Sequence, residues 1–244
     1  MTTRKLRRDA VGLLGLAMVL VAGACTPPGT MALPSPRPVS LDSLFQLAID
    51  DAAVYRADHV LPLNAAVPDG NGNVRVVTFT SYAGYTAGTD TVTRDTWVTL
   101  VPEVSDSCNG FTGDLKLRLN QLLGLPPHAG DSLMVEMTVP ASRLFRPVAD
   151  PAITTRYPCG DTLQAGCGES FPVAVSPEHV RWIADNLLTK WQDPNGYPWT
   201  RLGYTYNWHP GSPRYGASEY LVRRETVATG VTVQNVRAYC GRGS

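Results

Sequence analysis

The chain has 244 residues and carries 21 basic and 21 acidic side chains. Without the first 24 residues, which hold four basic side chains and one acid, the balance is 17 basic to 20 acidic. A nearly neutral, slightly acidic protein lacks the basic surface with which proteins neutralise nucleic-acid phosphates, so we expect no nucleic-acid partner. The remaining length is enough for one domain with its own hydrophobic core.

The N-terminus has the pattern of a secretory leader. Four basic residues between positions 4 and 8 precede an uncharged and mainly apolar run over residues 10–24. This run is shorter than the roughly 20 apolar residues that a bilayer-spanning helix needs. A basic start, a short apolar stretch and small residues at its end therefore predict a signal peptide over residues 1–24.

The leader ends in Val21-Ala22-Gly23-Ala24-Cys25. This stretch resembles the lipobox of bacterial lipoproteins, in which small residues precede a cysteine, although the family more often has Leu at the position of Ala22. The resemblance implies cleavage before Cys25 and a lipid on its sulfur, with the membrane as a partner. We therefore expect an extracytoplasmic protein anchored to the bacterial cell membrane or outer membrane.

A proline-rich tether follows the cysteine. Residues 25–39 contain prolines at positions 27, 28, 34, 36 and 38. Proline fixes φ and has no amide donor, so this stretch is expected to be an extended spacer of about 3.1 Å per residue rather than a helix or strand. Residues 40–244 then form a single α+β extracytoplasmic domain.

Hydrophobic spacing and turn residues predict about three helices and about six strands in this domain. Ser40 and Ser176 are suitable N-caps, and Pro177 fits the first position of a helix. In chain order we predict a helix at 41–57, strands at 75–80 and 91–101, a helix at 115–123, a strand at 133–139, irregular structure at 147–171, a helix at 177–191, and strands at 200–206, 219–223 and 231–237. This order predicts an α+β fold with a mainly antiparallel sheet.

Four cysteines remain once Cys25 is acylated. In an oxidising compartment they indicate two disulfides, for which three pairings exist. We favour Cys159–Cys167 as a local loop and Cys108–Cys240 as a long link that holds the C-terminus. The alternative, a zinc site, lacks the paired CxxC spacing and a histidine cluster, so we expect no metal and no other cofactor.

Residues 197–220 contain seven tyrosines and tryptophans. A strand over 200–206 places alternate aromatic side chains on one side, where their faces can stack on a sugar ring, a peptide or a small metabolite. Two interpretations stay open: the aromatic residues fill the core, or they line a binding pocket. The candidate ligand-binding residues are Trp199, Tyr204, Tyr206, Asn207 and Trp208.

His209 lies in a turn rich in proline and glycine, ten residues before Glu219. If strands 200–206 and 219–223 pair, His209 and Glu219 are expected to meet near one end of the sheet with Arg201. A base, an acid and a cation suit a phosphodiester-cleaving or glycosyl-transferring site. Residues 218–222 resemble the closing strands of secreted ADP-ribosyltransferase and ribonuclease toxins, without the second acidic residue of the transferase E-x-E pattern.

The sequence supports three hypotheses of function. The leading one is a cell-envelope module, without catalysis, that binds a glycan, a peptide or a partner protein. The second is a surface-tethered enzyme that uses His209, Glu219 and Arg201, although no HExxH, GxSxG or glycine-rich phosphate loop is present. The third is a structural or assembly lipoprotein with no small ligand.

Overall fold

The structure is a computed structural model that describes residues 38–172, 174–191 and 196–241. The predicted signal peptide, Cys25 and the tether up to residue 37 lie outside the described residues. From Val39 onward the described residues belong to one unit of internal contacts. None of the helices in these ranges is both long enough and apolar enough to cross a bilayer.

Nine strands and five α-helices are present in the described ranges. The strands are β1 (Asn73–Thr80), β2 (Gly88–Val92), β3 (Thr96–Leu100), β4 (Leu133–Pro140), β5 (Leu144–Phe145), β6 (Tyr204–Tyr206), β7 (Tyr215–Ser218), β8 (Tyr220–Val222) and β9 (Thr226–Asn235). The helices are α1 (Leu41–Ala53), α2 (Glu103–Asn109), α3 (Leu115–Leu122), α4 (Pro177–Lys190) and α5 (Val236–Tyr239). The prediction of an α+β fold is confirmed.

Seven strands form one antiparallel sheet in the order β2-β9-β4-β1-β3-β8-β5, and β6 pairs with β7 in a separate hairpin. The longest ladder joins β1 to β4 over eight residue pairs, from Asn73↔Pro140 to Thr80↔Leu133. The predicted mainly antiparallel sheet is therefore confirmed, with seven strands where about six were expected.

Polar side chains cap the helices where the sequence placed the caps. Ser40 Oγ accepts the amide hydrogen of Ser43 at the start of α1, and Ser176 Oγ accepts that of His179 in α4. Each bond satisfies an amide that has no partner within the helix, which typically contributes about 1 kcal/mol. The starts of the two helices were therefore predictable from their cap residues.

Both faces of the sheet are covered. Because side chains alternate along a strand, neighbouring residues of one strand enter different cores. Val76 of β1 packs in a core on the first face with Tyr220 of β8. Val77 packs on the second face in a core that includes Val104 of α2 and Leu119 of α3. Burying a side chain of this kind contributes roughly 1.5–3 kcal/mol, so both cores stabilise the sheet.

Both predicted disulfides are present. Cys108–Cys240 links α2 to the residue after α5 across 132 positions, and Cys159–Cys167 closes a local loop across 8 positions. The local loop lies in the region 147–171 that was predicted to be irregular. Such bonds persist in oxidising compartments, so the folded domain is extracytoplasmic.

The sequence prediction of one strand over 91–101 was wrong. The structure has two strands in this region, β2 and β3. Val92 pairs with Thr226 of β9, whereas Thr96 pairs with Val222 of β8. Since β9 and β8 lie on opposite sides of the central strands, one continuous strand cannot reach both partners. The chain therefore leaves the sheet at residues 93–95.

Only one side of α4 is buried. Ile183 is buried, whereas Leu188 is 67% exposed. The buried side is instead shared by His179, whose Nε2 lies 2.7 Å from the carbonyl oxygen of Val148, and whose ring stacks with that of Trp182. A histidine with a buried backbone partner was not recognisable from hydrophobic spacing alone.

Other boundaries also changed. The helix predicted at 41–57 ends at Ala53, and α2 was not predicted at all. The strand predicted at 200–206 is reduced to β6, because the backbone turns before it, with φ of 58° at Arg201 and 88° at Gly203. The strand predicted at 219–223 begins one residue later as β8, and the one at 231–237 begins earlier as β9 and gives way to α5.

Candidate functional site

A cavity of about 350 Å³ lies on the second face of the sheet. It is bounded by β1 and β3, by residues 123–125 after α3, by the end of α4 and by residues 197–199. Small-ligand sites typically have volumes of roughly 300–1,000 Å³ and combine apolar walls with a few polar groups. Aromatic side chains contribute much of the lining: Phe79, Tyr85, Trp97, Tyr197, Trp199 and Tyr206.

The pairing of β3 with β8 positions three residues that line the cavity: Trp97, Thr99 and Glu219. Trp97 and Thr99 are two residues apart in β3 and therefore point to the same face. Val98 pairs with Tyr220 in the antiparallel ladder, so the next step of the register brings Thr99 beside Glu219. The Glu219 amide donates to the carbonyl oxygen of Gly203 at 3.0 Å, which fixes this residue between β7 and β8.

Gly216 allows the β6–β7 hairpin to approach the other side of the cavity. A Cβ atom at this position would overlap the carbonyl oxygen of Leu122 and the hydroxyl of Thr205. The same hydroxyl donates to the Leu122 carbonyl at 2.7 Å, which holds β6 against the end of α3. Only glycine leaves room for this contact, and residues 123–125 consequently border the cavity.

The end of α4 brings a cation to the cavity. The Lys190 ammonium nitrogen lies 5.0 Å from the ring centroid of Tyr197 and 5.5 Å from that of Trp97. The amide of Tyr197 donates to the carbonyl oxygen of Lys190, which holds the loop against the helix end. A cation over an aromatic face is attracted by the ring quadrupole, so these two rings orient the lysine side chain.

Glu219 is a buried carboxyl group in the same cavity, with 8% of its surface exposed. Burial raises the pKa of Glu219 to about 8, and the charge of Lys190 and the indole N–H of Trp199 partly oppose this rise. Burial likewise lowers the pKa of Lys190, and Glu219 opposes that shift. The carboxyl group is therefore mainly protonated at neutral pH.

Three buried polar atoms in the cavity lack a hydrogen-bond partner within the described residues. They are Thr99 Oγ1, Trp199 Nε1 and Glu219 Oε2; the Trp199 indole faces Glu219 without the geometry of a regular hydrogen bond. Buried polar atoms are rarely left unpartnered, because each costs about 1–3 kcal/mol. All three atoms belong to residues that line the cavity. Together with the lysine they form what we call the polar wall: Thr99, Lys190, Trp199 and Glu219.

The predicted ligand-binding residues divide between cavity and core. Trp199 and Tyr206 line the cavity. Tyr204 is buried in another cluster and its hydroxyl donates to the His59 carbonyl at 2.8 Å. The ring centroids of Trp208 and Phe45 are 5.7 Å apart, and the Trp208 indole N–H donates to the carbonyl oxygen of Leu125 at 2.9 Å. The aromatic segment therefore contributes some side chains to the cavity lining and others to the buried interior.

Asn207, the fifth of these predicted residues, is buried in the turn after β6. Its side-chain oxygen accepts the amide hydrogen of His209 at 3.2 Å. The side chain therefore shapes the turn, and it is not among the residues that line the cavity.

His209 and Arg201 each contact a side chain other than Glu219. His209 Nδ1 is 3.0 Å from Ser212 Oγ, and burial followed by the charge of Arg118 lowers its pKa. The Arg201 guanidinium lies 4.6 Å from the ring centroid of Trp191. No contact within the described ranges joins any two of the three predicted catalytic side chains.

The hairpin explains why His209 and Glu219 are separated. Tyr204 pairs with Ser218 and Tyr206 pairs with Tyr215, so the turn that holds His209 is at one end of the hairpin. Glu219 follows directly on Ser218 and is at the other end. The expected pairing of neighbouring strands occurs, but its register places the two side chains at opposite ends.

Candidate metal ligands are dispersed among local contacts. His59 Nε2 lies 3.0 Å from Arg214 Nη1, and His128 Nε2 lies 3.5 Å from Asp42 Oδ1. Across residues 38–172, 174–191 and 196–241, no group of three or more His, Cys, Asp or Glu side chains could hold a metal ion.

Sequence reasoning missed two of the side chains that define the cavity, Lys190 and Trp97. Only two lysines remain after the leader, Lys116 and Lys190, and this rarity was a usable indication. Trp97 alternates with Thr99 in β3, but nothing in the strand pattern shows which face borders a cavity. The cavity depends on contacts between distant segments.

No protein-family model, curated protein or solved structure matches this chain. Its function is therefore inferred from the geometry of the cavity.

Proposed function

We propose that this chain is a lipid-anchored extracytoplasmic module that binds a glycan, with a sugar unit in the cavity beside Lys190 and Glu219. The anchor is supported by the lipobox-like sequence that ends at Cys25. The extracytoplasmic location is supported by the two disulfides. The observation that carries the binding function is one cavity that combines aromatic faces with unpartnered polar atoms.

The aromatic side chains favour a sugar as the ligand. Trp97, Tyr197 and Trp199 present ring surfaces to the cavity, and such surfaces pack well against the apolar face of a sugar ring. Tyr197 remains 37% exposed, so part of this surface is accessible to a ligand. At about 350 Å³ the cavity suits one or two sugar units better than an extended peptide.

The polar wall suits the hydroxyl edge of the same ligand. A protonated carboxyl group both donates and accepts hydrogen bonds, as does the Thr99 hydroxyl, whereas the Trp199 indole only donates. Sugar hydroxyls can satisfy each of these atoms. The alternative enzyme hypothesis based on His209, Glu219 and Arg201 has less support, because no contact within the described residues joins any two of these side chains.

A binding titration tests the proposal. The mature chain with Cys25→Ser is titrated with two disaccharides, chitobiose and N-acetylglucosaminyl-N-acetylmuramic acid. We expect saturable 1:1 binding of at least one of them. Absence of binding to both disaccharides contradicts the proposed function.

Two tyrosine variants assign the binding to the cavity. Tyr197→Ala should weaken binding by about tenfold, since a central aromatic contact is typically worth more than 1 kcal/mol. Tyr215→Ala is the matched control, because Tyr215 is also exposed but does not line the cavity. Equal loss in the two variants would place the ligand elsewhere.

A further inference from the structure

We infer that the polar wall binds the carboxylate of an acidic sugar, so that the cavity selects acidic over neutral glycans. This inference rests on the proposed glycan-binding function and names the class of sugar. It is carried by the chemistry of the four polar-wall side chains and by their position in a single buried wall.

The polar wall consists mainly of hydrogen-bond donors. The Trp199 indole has one N–H and no acceptor, and the Lys190 ammonium has three donors and no acceptor. The Thr99 hydroxyl can also donate. A ligand group that satisfies such a wall must accept several hydrogen bonds at once, and a carboxylate has two oxygens with four acceptor positions.

The charge of the wall favours an anion. With Glu219 mainly protonated at neutral pH, Lys190 is left as the cation of the wall. A partly buried cation is costly without a compensating anion. A ligand carboxylate placed beside Lys190 supplies that compensation, and hydrogen bonds to charged groups are about twice as strong as those between neutral groups.

The other ionisable groups around the cavity are Arg94, Asp95, Asp131, and the phenols of Tyr85, Tyr197 and Tyr206. The Arg94 guanidinium lies 5.5 Å from the ring centroid of Tyr82, and Asp95 Oδ1 accepts the Arg224 amide hydrogen at 2.8 Å. Burial raises the pKa of Tyr85 and Tyr206 above the ordinary value of 10.0. In this wall, Glu219 is the carboxyl group whose raised pKa, about 8, lies between pH 6 and 9.

The same pair of disaccharides tests the inference, because the two differ by the O3-linked lactyl group of the muramic unit, which carries the carboxylate. At pH 7 we expect the acidic disaccharide to bind at least about tenfold more tightly than chitobiose, which corresponds to one charge-assisted hydrogen bond. Lys190→Gln should reduce this preference to below about threefold. Lys116→Gln, the matched control on α3, should keep it.

A pH series on the unaltered cavity gives a second test that needs no variant at Lys190. The preference for the acidic disaccharide should fall as pH rises from 7 to 9, because ionised Glu219 repels the ligand carboxylate. Glu219→Gln should keep the preference over this range.

The two proposals fail in different ways. Equal affinity for both disaccharides overturns the acidic-sugar inference and leaves glycan binding intact. A preference that survives Lys190→Gln in full also overturns it. Failure of both ligands to bind overturns the proposed function as well.

Discussion

Lys190 at the end of α4 and Glu219 between β7 and β8 lie on the wall of one cavity, and each opposes the pKa shift that burial imposes on the other. Burial of two ionisable side chains costs free energy unless each finds a suitable partner. Shifted ionisable groups in a cleft are concentrated at functional sites. We propose that this pair serves ligand binding rather than stability.

The buried carboxyl group makes stability depend on pH. The pKa of Glu219 is raised from its ordinary value of 4.5 to about 8, so the folded state holds the proton more tightly than the unfolded state. The stabilisation that comes from this proton is fully present below 4.5, the pKa of the unfolded state, and is lost as pH rises towards 8. Relative to Glu219→Gln, the free energy of unfolding of the unaltered protein should fall by at most about 5 kcal/mol, or about 1.4 kcal/mol per pKa unit.

Urea denaturation of both proteins from pH 4.5 to 8 measures this difference. Since glutamine does not titrate, the variant cancels the pH dependence of all other groups. A constant difference across this range would show that Glu219 is not buried as a neutral acid.

Removal of the lysine charge should raise the pKa of Glu219 further. Lys190→Met eliminates the cation that lowers it, so the value should move above about 8. Carboxyl ¹³C chemical shifts followed against pH measure the change directly. Lys116→Met should leave the titration unchanged, and a lower pKa in Lys190→Met would contradict the assigned contact.

The two disulfides should contribute unequally to stability. In the chain-entropy relation the contribution grows with loop length, so Cys108–Cys240, with a separation of 132, is worth about 5 kcal/mol. Cys159–Cys167, with a separation of 8, is worth about 2.5 kcal/mol. Paired Cys→Ser variants should show this order in denaturant titrations, and a larger loss from the short loop would contradict it.

The aromatic segment should separate into structural and binding residues. Trp208→Ala removes a buried ring that packs on Phe45 and whose indole N–H donates to the carbonyl oxygen of Leu125. The free energy of unfolding should fall by about 3–5 kcal/mol. Tyr197→Ala should change stability much less, because that side chain is 37% exposed. Thermal unfolding measures both. An equal loss of stability would mean that Tyr197 belongs to the core.

The proposed anchor makes a prediction about location. Cys25→Ser removes the acylated sulfur, so the protein should be found in the soluble fraction after cell lysis, whereas the unaltered protein should sediment with membranes. One acyl-modified residue with two or more chains is enough for stable anchoring. Identical fractionation of the two forms would argue against the lipobox interpretation.

Much of the fold was predictable because it depends on local chemistry. Ser40 and Ser176 fixed the starts of α1 and α4, and β-branched runs located β1 and β4. The division of residues 91–101 was not predictable, because it follows from pairing with two different distant strands. Local patterns do not contain the order of strands in a sheet.

The candidate site was predictable only in part, for the same reason. Trp199, Tyr206 and Glu219 were selected from their unusual segment, and they do line the cavity. Their partners come from other elements: Trp97 lies in β3, 102 residues before Trp199, and Lys190 lies at the end of α4, 9 residues before Trp199. A cavity assembled across such distances becomes visible only when the sheet order and register are known.

The most direct test of the central claim is a crystal structure of the mature Cys25→Ser chain with N-acetylglucosaminyl-N-acetylmuramic acid. The proposal predicts a sugar ring against Trp97 and Tyr197, with the lactyl carboxylate within hydrogen-bond distance of Lys190 and Trp199. A disaccharide bound on another surface, with this cavity unoccupied at saturating ligand, would contradict it.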